Sequence, residues 1–331
     1  MRGRVRMAIP EELVELFRRE DDFLLFTHIQ PDGDTLGSAL GLGLALRDFG
    51  KKVTVVRTDP VPEIYLFLPG VGEMQDWRQV QGDFRVGVLL DCADPERIGE
   101  ARELLPKLPV VVNIDHHGTN SRFGHYNYVE PQAAAVGEQV YELLHVLSAP
   151  LSPAAATCLY TAILTDTGSF RYESTSAKTL RVAAALVEAG AKPAEVAEKA
   201  FETRSLSSLR LLGRALNGLE LSADGRIAWM SLSREDMAWA GAAEAETEGL
   251  INYARSVQGV EVALLFRATP ENKIRVSLRS RHWVDVSQVA ASFGGGGHPR
   301  AAGCTLSLPL KEAQQQVLAK IEEALGEAGG R

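Results

Sequence analysis

The sequence predicts an α/β protein in two unequal parts. An N-terminal domain with a mostly parallel sheet flanked by helices leads through a helical linker to a smaller C-terminal α+β domain. Three observations carry this. From residue 22 to 189, short aliphatic runs alternate with helical patterns, as in sheets whose strands are joined by crossover helices. After Asp224-Gly225 the pattern restarts as closely spaced strands, two of them joined by a Pro270-Glu271-Asn272 turn. At 331 residues, the chain is also too long for one typical core. The expected bounds are 1–190, 191–222 and 223–331.

Element by element, the apolar runs at 23–27, 86–90 and 110–114 read as strands buried on both faces, and 52–57 as another. Small and apolar residues at helical spacing give a helix over 35–49, stopped by Gly50. An alanine-rich helix follows Pro131 and runs to Leu147; others cover 153–166 and 175–189, the last closed by Gly190. Residues 193–221 read as helical throughout, with no strand to join a sheet. The second domain offers strands at 226–231, 260–268, 273–280 and 303–308. A helix over 283–293 ends in a glycine run, and a closing helix covers 309–326.

Composition is that of an ordinary soluble protein, 45% hydrophobic and 24% charged. No apolar stretch reaches the roughly 20 residues that span a bilayer, so no membrane partner is expected. The basic segment Met1 to Met7 has no apolar stretch after it and reads as no secretory signal. Cys92, Cys158 and Cys304 are widely spaced and read as small buried hydrophobes in a reducing, cytoplasmic compartment. A net charge of −8 argues against gripping long nucleic acid, duplex included. Residues 250–305 differ, with seven basic against three acidic side chains, a balance suited to a short anionic ligand.

The chemistry lies where the strands stop. Residues 23–27 run into His28-Ile29-Gln30-Pro31-Asp32-Gly33-Asp34, residues 86–90 stop at Asp91, and 110–114 stop at Asp115-His116-His117. Ligands of such sheets bind at the carboxyl ends of the strands, so these groups converge. Carboxylates and imidazoles gathered in one crevice repel and desolvate one another unless cations lie between them. His28 and Asp32 can face one ion from a tight loop while Asp34 faces another. Asp91 is placed to bridge the two, with His116 and Asp166 adding an imidazole and a carboxylate. This mixed oxygen and nitrogen set suits Mn²⁺ or Mg²⁺ better than structural zinc. Two such ions serve phosphoester hydrolysis. Taken singly, Asp91 reads more readily as a helix cap than as a ligand, and Asp166 can simply end its helix; the conjunction of three strands makes the case.

The motifs His28-x-x-Pro31-Asp32-x-Asp34-x-x-Gly37-Ser38, Asp91, Asp115-His116-His117 and Asp166-Thr167-Gly168 resemble those of the DHH phosphoesterases. Arg279-Ser280 and Gly295-Gly296-Gly297-His298-Pro299-Arg300-Ala301-Ala302-Gly303 resemble the DHHA1 domain that accompanies them. The resemblance spans nearly the whole chain. It implies one metal held by His28, Asp32 and Asp91 and a second by Asp34, Asp91, His116 and Asp166. It further implies His117 at the scissile phosphate and Asp115 orienting an imidazole. By length the chain is nearest the members that degrade very short RNA and linear dinucleotides to 5′-mononucleotides and dephosphorylate 3′-phosphoadenosine 5′-phosphate. Mn²⁺ is the implied metal, with Mg²⁺ as substitute, and a homodimer is a family-level expectation. A RecJ-like exonuclease, a pyrophosphatase on the same core and a non-enzymatic nucleotide sensor are the rivals.

The glycine run has its own logic, because glycines let backbone N–H groups approach an anion closely. Gly295, Gly296 and Gly297 with His298, Arg300, Arg279 and Ser280 are therefore the expected phosphate-binding group, Arg279 offering a bidentate grip. Arg171 is placed to reach a phosphate or form a salt bridge; Phe170 and Tyr172 read as base-stacking or core residues, the core being the commoner fate. His125, His145 and His282 lack partners at ligand spacing.

Overall fold

The computed structural model describes residues 9–328, apart from the side chains of residues 245, 298, 327 and 328. The basic N-terminal segment lies outside that range. Two compact units emerge, Met1–Thr203 and Arg204–Arg331.

The first unit carries a six-stranded sheet of β1 (Asp22–Phe26), β2 (Lys52–Arg57), β3 (Gln75–Asp76), β4 (Val86–Leu90), β5 (Val110–Asp115) and β6 (Tyr126–Val129). Their order is β3-β2-β1-β4-β5-β6, and every pairing is parallel. The chain thus winds outward from β1, returns, and winds the other way from β4. That reversal opens a crevice at the carboxyl ends of β1 and β4. Both faces of the sheet are covered, which explains the unbroken apolar runs. Phe23, Leu25, Val86, Val88, Val112 and Ile114 enter one core. Leu24, Phe26, Leu89 and Val111 enter the other, with Ile98 and Leu108.

The first core is closed by α1 (Glu11–Arg19), α2 (Gly33–Asp48), α3 (Val136–Leu147), α4 (Pro153–Asp166) and α5 (Ala177–Glu188). Helix α2 lies on the sheet, with Gly43 close to Val55 and Leu25, and α4 lies along α2 at very short range. A Cβ at Gly33 would overlap Thr165, one at Gly37 would overlap Cys158 and Ala162, and one at Gly41 would overlap Leu159. The Gly33, Gly37 and Gly41 spacing therefore fixes how near α2 and α4 can run.

Residues 193–221 depart from the continuous helical reading. Helix α6 (Pro193–Ala197) and one π-helical turn, Glu198–Glu202, belong to the first unit, with Val196 in its core. The chain then breaks, Ser205 caps α7 (Leu206–Asn217), and Leu211 and Ala215 enter a core of the second unit. Residues Glu220–Leu221 form β7, an edge strand. The stretch expected as a linker is thus divided between two cores, with the break at Thr203 and Arg204.

The second unit adds β8 (Ile227–Leu232), α8 (Arg234–Ala240), α9 (Ile251–Ser256), β9 (Val262–Ala268), β10 (Ile274–Ser280), α10 (Val286–Ser292), β11 (Gly296–His298), β12 (Ala301–Leu306) and α11 (Leu310–Ala328). Its sheet runs β11-β12-β10-β9-β8-β7, antiparallel except between β8 and β9. The architecture is α/β throughout, with an all-parallel first sheet and a mixed second one. Among the described residues, no helix is long and apolar enough to cross a membrane, and all three cysteines are buried and unpaired.

Candidate metal centre

The six expected metal-type side chains of the first unit come together at the crevice. Donor atoms of His28, Asp32 and Asp91 lie within 4.8 Å of one another, as do those of Asp34, His116 and Asp166, and those of Asp91, His116 and His117. His28 follows β1 by two residues and is buried. Its Nδ1 lies 2.8 Å from the Ile29 carbonyl, so this nitrogen carries the proton and Nε2 points free into the crevice. His116 repeats the device, with Nδ1 3.1 Å from the Ala133 carbonyl. Each ring is thereby oriented, and tautomer-selected, to present one lone pair.

Asp91 stands between them. It leaves β4 with φ +61°, a left-handed conformation that side chains other than Asn and Asp rarely adopt. Its Oδ2 faces His28 Nε2 at 3.3 Å, while Oδ1 faces His116 Nε2 and His117 Nδ1, each at 3.5 Å. His28 Nε2 also lies 3.6 Å from Asp32, and His116 Nε2 lies 3.6 Å from Asp166 and 3.9 Å from Asp34. These separations exceed good hydrogen bonds and suit ligands that share an ion at about 2.1 Å. His28 Nε2 and Asp91 Oδ1 are buried without a hydrogen-bond partner, which a native fold does not tolerate lightly. The donor set and these orphaned atoms fit a pair of divalent ions.

The electrostatics agree. Burial and the neighbouring Asp91 and Asp166 push Asp34 well above the ordinary carboxyl range. Burial, with Asp91 and Asp32 adding to it against the pull of His116, raises Asp166 to about 7. Asp166 also ends α4 with no basic residue in the last turn, the unfavourable end of the helix dipole for an anion. Burial opposes charge on His28, yet the carboxylates of Asp32 and Asp91 beside its Nε2 outweigh it and raise the ring to about 10. Without a cation, the cluster holds protons instead.

Each carboxylate is held by structure around it. Asp32 caps α2 by accepting from the N–H groups of Asp34 and Thr35. Asp34 accepts from the Val136 and Gly137 N–H groups at 2.7 and 3.0 Å and from Ser38 Oγ at 2.9 Å. The first turn of α3 therefore aims it. Asp115 is fully buried and lies 2.8 Å from His117 Nδ1. Its other oxygen accepts from Asn120 Nδ2 at 2.6 Å, and Asn120 also bonds Asn113 and the Cys92 carbonyl. Burial disfavours its charge, but His117 and Asn120 hold its carboxyl below the usual range. Sequence reading missed Asn120 and the α3 N–H groups, and it gave Ser38, present in the first motif, no role of its own. An Asn four residues past His116 on a tight loop was the one available signal.

In the second unit, the expected phosphate group gathers at one end of its sheet. Arg279 and Ser280 close β10, Arg279 is paired in register with Ala301 of β12, and β11 pairs with β12 on the other side. The glycine run is not a loop: Gly296–His298 is a strand. Gly297 needs its bare backbone, with φ +140° and a Cβ position 2.6 Å from Ala302 Cα. A Cβ on Gly295 would likewise overlap Gly303 and Cys304, while Gly296 has open space beside it. Ser280 is buried and donates to the Pro299 carbonyl, so it braces the turn rather than facing a ligand. Arg300 donates to the Val284 carbonyl at 2.8 Å and reaches Ser280 Oγ at 3.5 Å. Arg279 is half-buried, one nitrogen donating to the Leu278 carbonyl. The side chain of His298 lies outside the described residues. Arg267, counted in the basic stretch, is buried in an ion pair with Glu244 and does not contribute to an exposed patch. His125 accepts from the Val111 N–H, and His145 stacks on Tyr141.

Comparison with known proteins agrees with both halves of this geometry. The DHH family N-terminal domain matches residues 22–163, and the DHHA1 domain matches residues 237–327. The bifunctional oligoribonuclease and PAP phosphatase NrnA of Thermus thermophilus is 37% identical over 94% of this chain and 92% of its own length. The protein of the same name from Bacillus subtilis is 29% identical over 94% of this chain and 97% of its own. A crystal structure of an exopolyphosphatase-related protein from Bacteroides fragilis superposes with a TM-score of 0.88 at 28% identity, covering 96% of this chain and 95% of that one. The chain therefore belongs to the DHH family of phosphoesterases, with the family's N-terminal domain followed by a DHHA1 domain.

Proposed function

We propose that this chain is a two-metal phosphohydrolase that releases 5′-mononucleotides from very short RNA and linear dinucleotides and removes the 3′-phosphate of 3′-phosphoadenosine 5′-phosphate. One observation carries the reading: the two oxygens of Asp91 face two separate groups of histidine and carboxylate donors. The NrnA relatives, named for those two activities, support the choice of substrates.

In this reading His28, Asp32 and Asp91 hold one ion, and Asp34, Asp91, His116 and Asp166 hold the other. Bound there, divalent ions supply charge against the phosphoryl oxygens and lower the pKa of a water. Manganese is favoured by the mixed imidazole and carboxylate donors, with magnesium as substitute. The remaining work falls to the chain. Both substrates break the same bond, between phosphorus and a ribose 3′ oxygen. Asp115 holds the Nδ1–H of His117, which leaves Nε2 to carry a proton toward the departing 3′ oxygen. Burial disfavours that proton, but the Asp115 hydrogen bond outweighs it and raises the ring above its ordinary value. Arg279, the glycine run at Gly296 and Gly297, His298 and Arg300 are the donors for a substrate phosphate in this reading, the Gly295 N–H being given to the Ala290 carbonyl. The enzyme would work in the cytoplasm.

The test is a side-by-side turnover assay with Mn²⁺ on 5′-phosphorylated two- to five-mers, 3′-phosphoadenosine 5′-phosphate and pyrophosphate. Mononucleotide release from the shortest oligomers, together with dephosphorylation of the adenosine bisphosphate, is expected. Turnover of pyrophosphate alone, or of none, would overturn the reading.

A further inference from the structure

The segment after Asp166 carries a feature that neither the metal cluster nor the phosphate group uses. Gly168, Ser169 and Phe170 have φ of +54°, +61° and +61°, three consecutive residues in the left-handed region. Two of them are not glycine, so the turn is intrinsically disfavoured and must be held by its surroundings. It is held firmly. Thr167 Oγ1 accepts from the Phe170 N–H, Ser169 donates to the Leu164 carbonyl, and both Arg171 and Tyr172 donate to the Thr167 carbonyl. Arg171 is tied further by Nε to the Gly168 carbonyl at 2.6 Å.

The turn gives its two aromatic residues opposite fates. Phe170 goes inward, edge-on to Tyr160 and against the first core. Tyr172 goes outward and is 43% exposed, its ring laid across Gly168. A Cβ on Gly168 would come within 2.7 Å of that ring, so only glycine allows the arrangement. Gly168 is two residues from Asp166, hence within about 7.6 Å of it between Cα atoms. A rigid, exposed aromatic face is thus fixed beside the metal-type cluster.

We infer that Tyr172 is a stacking platform for the nucleobase of the substrate nucleotide whose phosphate lies at the cluster. The inference deepens the proposed function and rests on it for the nature of the ligand. A base has a π-face whatever its identity, so stacking gives affinity with little sequence preference. That suits a chain whose other donors read phosphate. If the ring only covered Gly168, any apolar side chain would replace it.

The test measures equilibrium binding of AMP and of ribose 5-phosphate to the full chain with Mn²⁺, in the wild type and in Tyr172→Ala, Tyr172→Leu and Tyr172→Phe. Ala and Leu are expected to weaken AMP roughly ten- to hundredfold, the range of base–aromatic stacking losses, while ribose 5-phosphate binding is unchanged. Phe rescues AMP binding. Leu separates a covering role from a stacking one, because it fills the space over Gly168 without a π-face. Equal losses for both ligands, rescue by Leu, or wild-type AMP binding no tighter than ribose 5-phosphate would each overturn the inference. Dinucleotide turnover is followed in parallel. If it is absent while AMP binding still depends on Tyr172, the proposed activity fails and the platform stands.

Discussion

Replacing Gly37 with alanine probes how the fold builds the second ion site. The added Cβ would overlap the Cys158 carbonyl and sit 2.9 Å from both Cβ and N of Ala162. Ordinary van der Waals contact needs about 3.7 Å, so α2 and α4 must part by about 0.8 Å. Helix α2 rests on the sheet, and α4 rests on α2, so α4 yields. Asp166, one turn beyond Ala162, moves with it. Metal sites tolerate displacements of about 0.2 Å. Overpacking should cost about 1–3 kcal/mol of stability, and affinity for the ion at Asp34, His116 and Asp166 should fall about ten- to hundredfold. The ion at His28, Asp32 and Asp91 uses nothing from α4 and should bind as before. Calorimetric titration of Mn²⁺ into metal-free Gly37→Ala should show one site near wild type and one weakened. Two wild-type sites with unchanged stability would refute the argument from helix spacing.

Three other perturbations follow. Asp91→Asn keeps a residue that accepts positive φ but removes the bridging charge. It should fold with a thermal midpoint close to wild type yet lose more than about 100-fold in turnover and in affinity for both ions. Asn120→Ala releases Asp115 and, through it, His117. A drop of about 10- to 100-fold in kcat with little change in KM is expected from steady-state kinetics, and a change confined to KM would contradict it. Finally, His28 at about 10 and His116 at about 9 are protonated at neutral pH without metal, because Asp32 and Asp91 for the first ring, and Asp34, Asp91 and Asp166 for the second, outweigh burial. Ions bind the neutral rings, so affinity should rise with pH until about 9–10. Binding at pH 7.5 should release at least two protons, one from each ring, with Asp34 and Asp166 adding to them, read from the dependence of binding enthalpy on buffer; no buffer dependence would count against this assignment.

Strands β1, β4 and β5 were legible because they are buried on both faces and read as unbroken apolar runs ended by polar residues, whereas the short edge strands β3 and β6, only partly buried, carry no such run and were not read. The crevice was legible for the same reason: Asp91 and the Asp115-His116-His117 triplet stand where β4 and β5 stop. What sequence did not reveal depends on contacts between distant segments. The hold of the α3 N–H groups on Asp34 joins residues about a hundred positions apart. The break after Thr203 lies inside a stretch whose helical pattern is continuous; only the division of Val196 and Leu211 between two cores interrupts it. The glycine run offered no periodicity from which to read strand β11, because residues without side chains show no alternation.

The most direct test of the account is a crystal structure of the chain grown with Mn²⁺ and phased at the manganese edge. The account predicts two anomalous peaks bridged by Asp91, one ligated by His28 and Asp32, the other by Asp34, His116 and Asp166. A single peak, or peaks away from Asp91, would contradict it.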